Sequence, residues 1–348
     1  MTMLPRIRFI RTVPIFRRLA TAVLATAACL FVITSTASAT IGAWQRQRIP
    51  SLAWLHAVFF LDQNRGWVVG SRGALLTTDN GGSSWRITTR PTEDTIRDIY
   101  FTDEQNGWLV CERNIYDLRS NDEPRAYLLR TGDGGQSWSR VNMGGVDARL
   151  TRAIFTRSGR GWAFGEAGAV YTTNDLGTNW IKLQAPTRFL LLGGAFIDDS
   201  GWLVGAGSTI LQTSDAGETW HHVRLSVPNN VRFNATSFAN ARLGWAVGSE
   251  GAIYRTINGG RSWQAQTSGV SADLLDVKFL DSVEGWSVGA EGTVLHTTDG
   301  GLHWISERTA TPHTLERIFF ADRTHGWAVG FGGTIIAYGR AEAPRLRR

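Results

Sequence analysis

The groups in this chain that could carry covalent chemistry are few, and their spacing does not suit it. His56, His221, His222, His296, His303, His313 and His325 show no metal-ligand spacing, and the adjacent His221 and His222 point to opposite faces of a strand. Cys111 stands alone once Cys29 is assigned to a leader, so no intramolecular disulfide forms, and it reads as a small buried residue. Gly-x-Gly recurs inside hairpins, not between a strand and a helix, so no phosphate-cradling loop is expected. Asp98 and Asp276, expected on innermost strands at a channel mouth, are the carboxylates a glycosidase could use, and are expected to face neighbouring backbone or water. No cofactor and no metal are expected. Arginine is the abundant group: of the 36 basic residues only Lys182 and Lys278 are lysines. Its planar fork pairs with carboxylates and stacks on aromatics, chemistry suited to a protein partner.

The elements that must position these residues repeat. Gly-Trp occurs at Gly66-Trp67, Gly107-Trp108, Gly161-Trp162, Gly201-Trp202, Gly244-Trp245, Gly285-Trp286 and Gly326-Trp327, at spacings of 41, 54, 40, 43, 41 and 41. One unit is therefore about 41 residues, and the second carries an insert, "CERNIYDLRSNDEPRAY". A second phrase follows each of the first six pairs: "TDNGGSSW", "TGDGGQSW", "TNDLGTNW", "TSDAGETW", "TINGGRSW" and "TTDGGLHW". This is the Asp-box pattern. Its Asp or Asn (Asn80, Asp133, Asp175, Asp215, Asn258, Asp299) can accept turn N–H groups, its Gly supplies positive φ, and its Trp packs on the neighbouring unit. "LLDVKFL", "GWSVG", "TVLHTT" and "WISERT" then read as four short antiparallel strands.

Such a sheet cannot bury its faces alone, so the units stack around an axis as an all-β, seven-bladed propeller of four-stranded antiparallel blades. The seventh unit lacks its Asp box and fourth strand. "GAWQRQRIP", with Trp44, resembles the outer strands at Trp85 and Trp263, so the N-terminal strand is expected to close the ring and remove an exposed edge. Every Trp except Trp54 then has a repeat position. The layout with "GWxVGxxGxI" and "TxDGGxxW" resembles the photosystem II assembly and stability factor family of Asp-box propellers, over about residues 40 to 339. The resemblance implies an exported, non-enzymatic assembly factor that binds an early photosystem II reaction-centre intermediate, including precursor D1. The alternative class is a sialidase-like Asp-box glycoside hydrolase or a glycan-binding propeller. "QRIP" at Gln47 to Pro50 resembles the arginine phrase of sialidases, but no Tyr-Glu partner accompanies it.

Residues 1–39 read as a signal peptide: five arginines precede an apolar stretch from Leu19 to Ile33, and Ala37-Ser38-Ala39 follows. A retained anchor, twin-arginine export through Arg17-Arg18 and lipidation at Cys29 are the alternatives. Removing the leader leaves 31 basic against 30 acidic residues, so the basic pI implies no nucleic-acid partner. Residues 340–348 form a basic tail. A periplasmic or thylakoid-lumenal monomer is expected, with peripheral membrane association allowed.

Loops from strand four to the next strand one, and from strand two to strand three, share one face of the disc. That face is expected to carry the partner site, at Arg97, Arg119, Arg125, Arg149, Arg152, Arg188, Phe189 and Arg232, with blades two to four favoured by the insert and by "FLLL" after Arg188. The competing expectation is a solvated rim, because Glu93, Asp94, Asp147 and Glu316 lie among these arginines.

Overall fold

Each repeat folds as a four-stranded antiparallel sheet, because an alternating inner strand is followed by short strands separated by glycine-rich turns. The structure, a computed structural model, describes residues 42–114, 116, 118, 120, 123–144, 148–156, 158–225, 230–309 and 311–339. Segments 1–39 and 340–348, expected as signal peptide and tail, lie outside the described residues. The inner strands of blades 1 to 7 are Leu55–Phe60, Thr95–Phe101, Leu150–Phe155, Leu191–Ile197, Phe233–Phe238, Leu274–Phe279 and Leu315–Asp322. Blade 7 takes its outer strand from Ala43–Arg46, with Trp44 opposite Tyr338, so the ring closes as expected.

The Gly-Trp pairs join the blades. Each Trp lies against a Phe at or near the end of the next inner strand: Trp245 of blade 5 stacks on Phe279 of blade 6 with ring centroids 3.3 Å apart, and Trp162 of blade 3 stacks on Phe196 of blade 4 at 3.7 Å. Four of these indoles donate to carbonyls of the next blade's Asp box, Trp162 to Ala216, Trp202 to Gly259, Trp245 to Gly300 and Trp327 to Gly81, at 2.9–3.1 Å. Glycine precedes the Trp because a Cβ on Gly66 would lie 2.5 Å from the Phe60 ring. The indole N–H of Trp286 of blade 6, which faces the blade that has no Asp box, has no acceptor, and neither has that of Trp108 of blade 2. Trp286 stacks instead on His296 at 3.6 Å and is edged by Trp44 of the closing strand.

Within each Asp box the acidic or amide side chain holds the turn. Asp215 Oδ1 accepts the Thr219 N–H and the Thr213 hydroxyl, while Thr213 Oγ1 accepts the Gly217 N–H. These bonds favour the carboxylate, and hydrogen bonds hold Asp175, Asp215 and Asp299 at about 2, below the usual range. A depressed folded-state pKa stabilises the native state above the unfolded value near 4, and that contribution is lost as pH falls through 2. Asn80 and Asn258 do the same job without titrating, each donating its amide to a serine, Ser84 or Ser262. Asp215→Asn is therefore expected to keep the turn and to weaken the dependence of stability on pH between 4 and 2. Acid unfolding followed by circular dichroism checks this, and an unchanged acid profile would remove the Asp215 box as a contributor.

Candidate functional site

Every inner strand carries one extra residue near its start, where the pairing with strand two slips: Leu55 pairs with Gly70 but Ala57 with Val69, and the same step recurs in all seven blades. A bulge re-aims side chains that strict alternation would send elsewhere. The seven extra residues, His56, Arg97, Thr151, Leu192, Asn234, Leu275 and Glu316, all line one cavity of about 200 Å³ at the channel mouth. It opens on the face of the strand-four-to-one and two-to-three loops.

Charge at this mouth is organised in pairs. Arg97 binds Glu112, and Arg149 reaches both Glu112 at 3.6 Å and Glu166 at 3.3 Å. Arg125 binds Glu166 at 3.0 Å, and His56 Nδ1 lies 2.7 Å from Glu316. Three arginines thus share two glutamates. A neighbouring cavity of about 540 Å³ between blades 1 and 2 is lined by Arg72, Arg97, Arg113 and Arg125, with Glu93, Asp94 and Glu112 among them. Arg113 binds Glu123 at 2.8 Å and draws together the two ends of the blade 2 insert. The arrangement can bind carboxylate or polar peptide groups by rearranging existing pairs, since the arginine excess is small.

Directly below lies a second charged layer, one residue further along the same strands. Arg152 of blade 3 crosses the channel to Asp276 of blade 6 at 3.1 Å, and Arg317 of blade 7 approaches Asp98 of blade 2 at 3.8 Å. Asp98 also accepts the Ala153 N–H, and Asp276 the Ile318 N–H. Burial raises the Asp98 carboxyl to about 6 against the opposing charge of Arg152, and raises Asp276 likewise. Lys278, further down the channel wall, touches solvent yet is enclosed by protein, and that enclosure lowers its pKa. Both aspartates face neighbouring backbone as expected, and both are engaged in cross-channel bracing.

The expected partner residues therefore separate. Arg97, Arg125 and Arg149 come together at the mouth, and Arg232 lies on the same face paired with Asp273 at 2.8 Å. Arg188 and Phe189 are exposed on the loop between blades 3 and 4, and Arg188 has no ionic partner among the described residues. Arg152 does not join Arg149 on the rim: the bulge at Thr151 turns it into the channel, where Asp276 holds it. Arg119 lies outside the described residues. Cys111 is buried and its thiol is pushed up by burial, so it is a packing residue and no nucleophile. Sequence patterning missed the His56–Glu316 pair, because the bulges that converge it leave no mark in the hydrophobic alternation, and missed Glu112 and Glu166, which meet the arginines from at or just past the ends of second strands.

The model of the family described as "Photosynthesis system II assembly factor YCF48" matches residues 36–181, 172–267 and 265–339, essentially the whole propeller. The chain belongs to this family. The YCF48 family relationship extends to individual proteins. The chain is 27% identical over 155 residues to a photosystem II assembly lipoprotein Ycf48 of Synechococcus sp. (strain CC9902), covering 43% of this chain and 42% of the relative. It is 26% identical over 156 residues to the chloroplastic photosystem II stability/assembly factor HCF136 of Arabidopsis thaliana, covering 39% and 34%. The aligned region thus spans less than half of either curated relative. A solved structure of a YCF48 bound to a D1 peptide superposes with a TM-score of 0.71 at 22% identity, covering 88% of this chain and all of that one, and shares the fold.

Proposed function

We propose that this protein is an exported, monomeric, non-enzymatic assembly and stability factor whose arginine-lined mouth docks a segment of a membrane-protein intermediate. The membership of the whole propeller in the YCF48 family carries this reading. The kinship with a YCF48 that binds a D1 peptide supports a photosystem II reaction-centre subunit, precursor D1, as the client. The lipoprotein and chloroplastic relatives support export to a periplasm or thylakoid lumen after loss of residues 1–39. A scaffold role is also supported by the mouth itself. The two carboxylates that a glycosidase would use, Asp98 and Asp276, each hold a backbone N–H and face an arginine, and neither is free to take a substrate.

The test is capture from solubilised host membranes. The protein from Thr40 onward is compared with a variant carrying Arg97→Gln, Arg149→Gln and Glu112→Gln, which removes two of the three mouth arginines, keeps the Arg125–Glu166 pair and does not leave Glu112 as a lone charge. Recovery of a reaction-centre or other integral membrane subunit by the native protein, reduced at least tenfold in the variant, is the expected result. Equal recovery by both proteins would move the client site away from the mouth.

A further inference from the structure

Trp54 is the one Trp that the repeat does not explain, and its surroundings are unusual for this propeller. The six positions equivalent to it, at the start of each inner strand, hold Thr95, Arg149, Leu190, Arg232, Asp273 and Thr314. Its neighbour Phe331 occupies a turn position held elsewhere by Ser71, Glu112, Glu166, Ala206, Ser249 and Ala290. The two rings meet edge to face at 5.3 Å, yet Trp54 remains 42% and Phe331 50% exposed, and Leu52 on the adjoining loop is 88% exposed. The other strongly exposed aromatics, Tyr116 at 87% on the insert and Phe189 at 55%, lie on the same face. Exposed large apolar residues on the outer strands and the opposite face are aliphatic, as at Ile181, Ile257 and Leu302.

Charge follows the same division. Arg48, Arg72 and Arg188 are exposed on this face without an ionic partner among the described residues. Arg72 projects from the tip of a turn with a left-handed backbone, φ 55°. These cations and the aromatics occupy the arc from blade 7 through blade 4. The turns of blades 5 and 6 instead present Glu250 and Glu291 and no strongly exposed aromatic.

We propose that the arc of loops from blade 7 to blade 4 is a docking surface for an anionic lipid bilayer. Trp, Tyr and Phe are the side chains that settle at the level of lipid headgroups, where a ring can be apolar on one side and wet on the other. Unpaired arginines beside them complement anionic headgroups, and apolar side chains raised on loop tips insert without unfolding anything. A pocket for a short peptide would gather its aromatics at one point. Here they are spread along an arc around the ion-paired mouth, which suits a plane. The acidic turns of blades 5 and 6 tilt the disc so that the mouth meets the bilayer at an angle, beside the place where a segment of a membrane protein would emerge. The inference goes beyond the client reading and does not need it.

The propeller from Thr40 onward contains every strand of the closed ring, so it can be tested without the apolar leader. Its flotation with vesicles of phosphatidylcholine containing 30% phosphatidylglycerol is compared with flotation on phosphatidylcholine alone. Binding is expected only to the anionic vesicles and is expected to weaken as salt rises. Arg48→Gln, Arg72→Gln and Arg188→Gln together should lower the partition coefficient about a hundredfold, and Leu52→Ser, Trp54→Ala and Phe331→Ser together at least tenfold. Brominated lipid should quench fluorescence in the native protein, and Trp54→Phe should abolish that quenching. Each variant is first shown to melt at the native temperature. Failure of the native protein to float with anionic vesicles, or undiminished binding of the aromatic variant, would overturn the proposal. Client capture with no vesicle binding would overturn it too, and would assign the exposed aromatics to a protein partner while leaving the client reading intact.

Discussion

Replacing Trp245 by alanine is expected to lower the unfolding free energy by about 3–5 kcal/mol, the range for removing a buried Trp from a packed core. Trp245 is fully buried, stacks on Phe279 of the next blade and donates to the Gly300 carbonyl of that blade's Asp box. Its loss opens a cavity at a blade interface and strands a buried acceptor. A paired comparison separates the two effects. Trp245→Phe keeps most of the stacking but loses the indole N–H, and should cost about 1 kcal/mol more than Trp286→Phe for the hydrogen bond alone. Trp286 has no acceptor to lose. Urea midpoints of the four proteins under one set of conditions decide the matter. Equal costs for the two Trp→Phe changes would show that the inter-blade hydrogen bond contributes nothing beyond packing.

Arg152→Met is the second substitution expected to be severe, at about 3–5 kcal/mol near neutral pH, because it removes the cation that crosses the channel and leaves the buried Asp276 carboxylate without its ion-pair partner. The deficit should depend on pH with a definite sign. Asp98 titrates near 6 in the native protein, above its ordinary value, so the folded state binds its proton more tightly than the unfolded chain does. The stability this confers is fully present below about pH 4 and is lost as pH rises through 6; since a tenfold difference in proton affinity corresponds to ~1.4 kcal/mol, it is of order 3 kcal/mol. Without Arg152, Asp276 loses its ion-pair partner and Asp98 loses a charge that lowers it, so both carboxyls rise further. The Arg152→Met deficit should accordingly be largest at pH 7–8 and shrink toward pH 5, where protonation removes the unpaired charge. Adding Asp98→Asn to Arg152→Met should recover part of the loss at pH 7. Thermal melts from pH 4.5 to 8 provide the check, and a deficit that stays constant with pH would show that Arg152 acts by packing alone. Since Arg152 braces the ring, its charge reversal would be a poor probe of partner binding, and the capture experiment uses Arg97 and Arg149.

The blade count, the blade boundaries and the closing strand were all legible in the sequence. A repeat of about 41 residues with Gly-Trp and an Asp box in each unit leaves few ways to bury the Trp rings. Those residues act locally: the Asp-box side chain satisfies N–H groups within four residues of itself, and glycine before Trp answers a clash with a Phe of the same blade. Local causes can be read from spacing. The placing of Arg97, Arg125, Arg149 and Arg232 on one face was legible for the same reason, since strand order alone sends a given loop to a given side, just as it sends Arg65, Arg160 and Arg323 in the Gly-Trp turns to the other.

The depth of each arginine and the partner it meets were decided only in three dimensions. Arg149 and Arg152 are three residues apart, yet one lies on the rim between Glu112 and Glu166, and the other reaches through the channel to a residue 124 positions away. A one-residue bulge between them sets the difference, and its pairing slip involves no glycine or proline signal. Seven such bulges, one in each blade, bring His56, Arg97 and Glu316 into one ring. Convergence of that kind depends on the closure of the whole propeller, because the residues that meet at its axis belong to strands far apart in the chain and acquire a common environment only when the last blade is sealed by Ala43–Arg46.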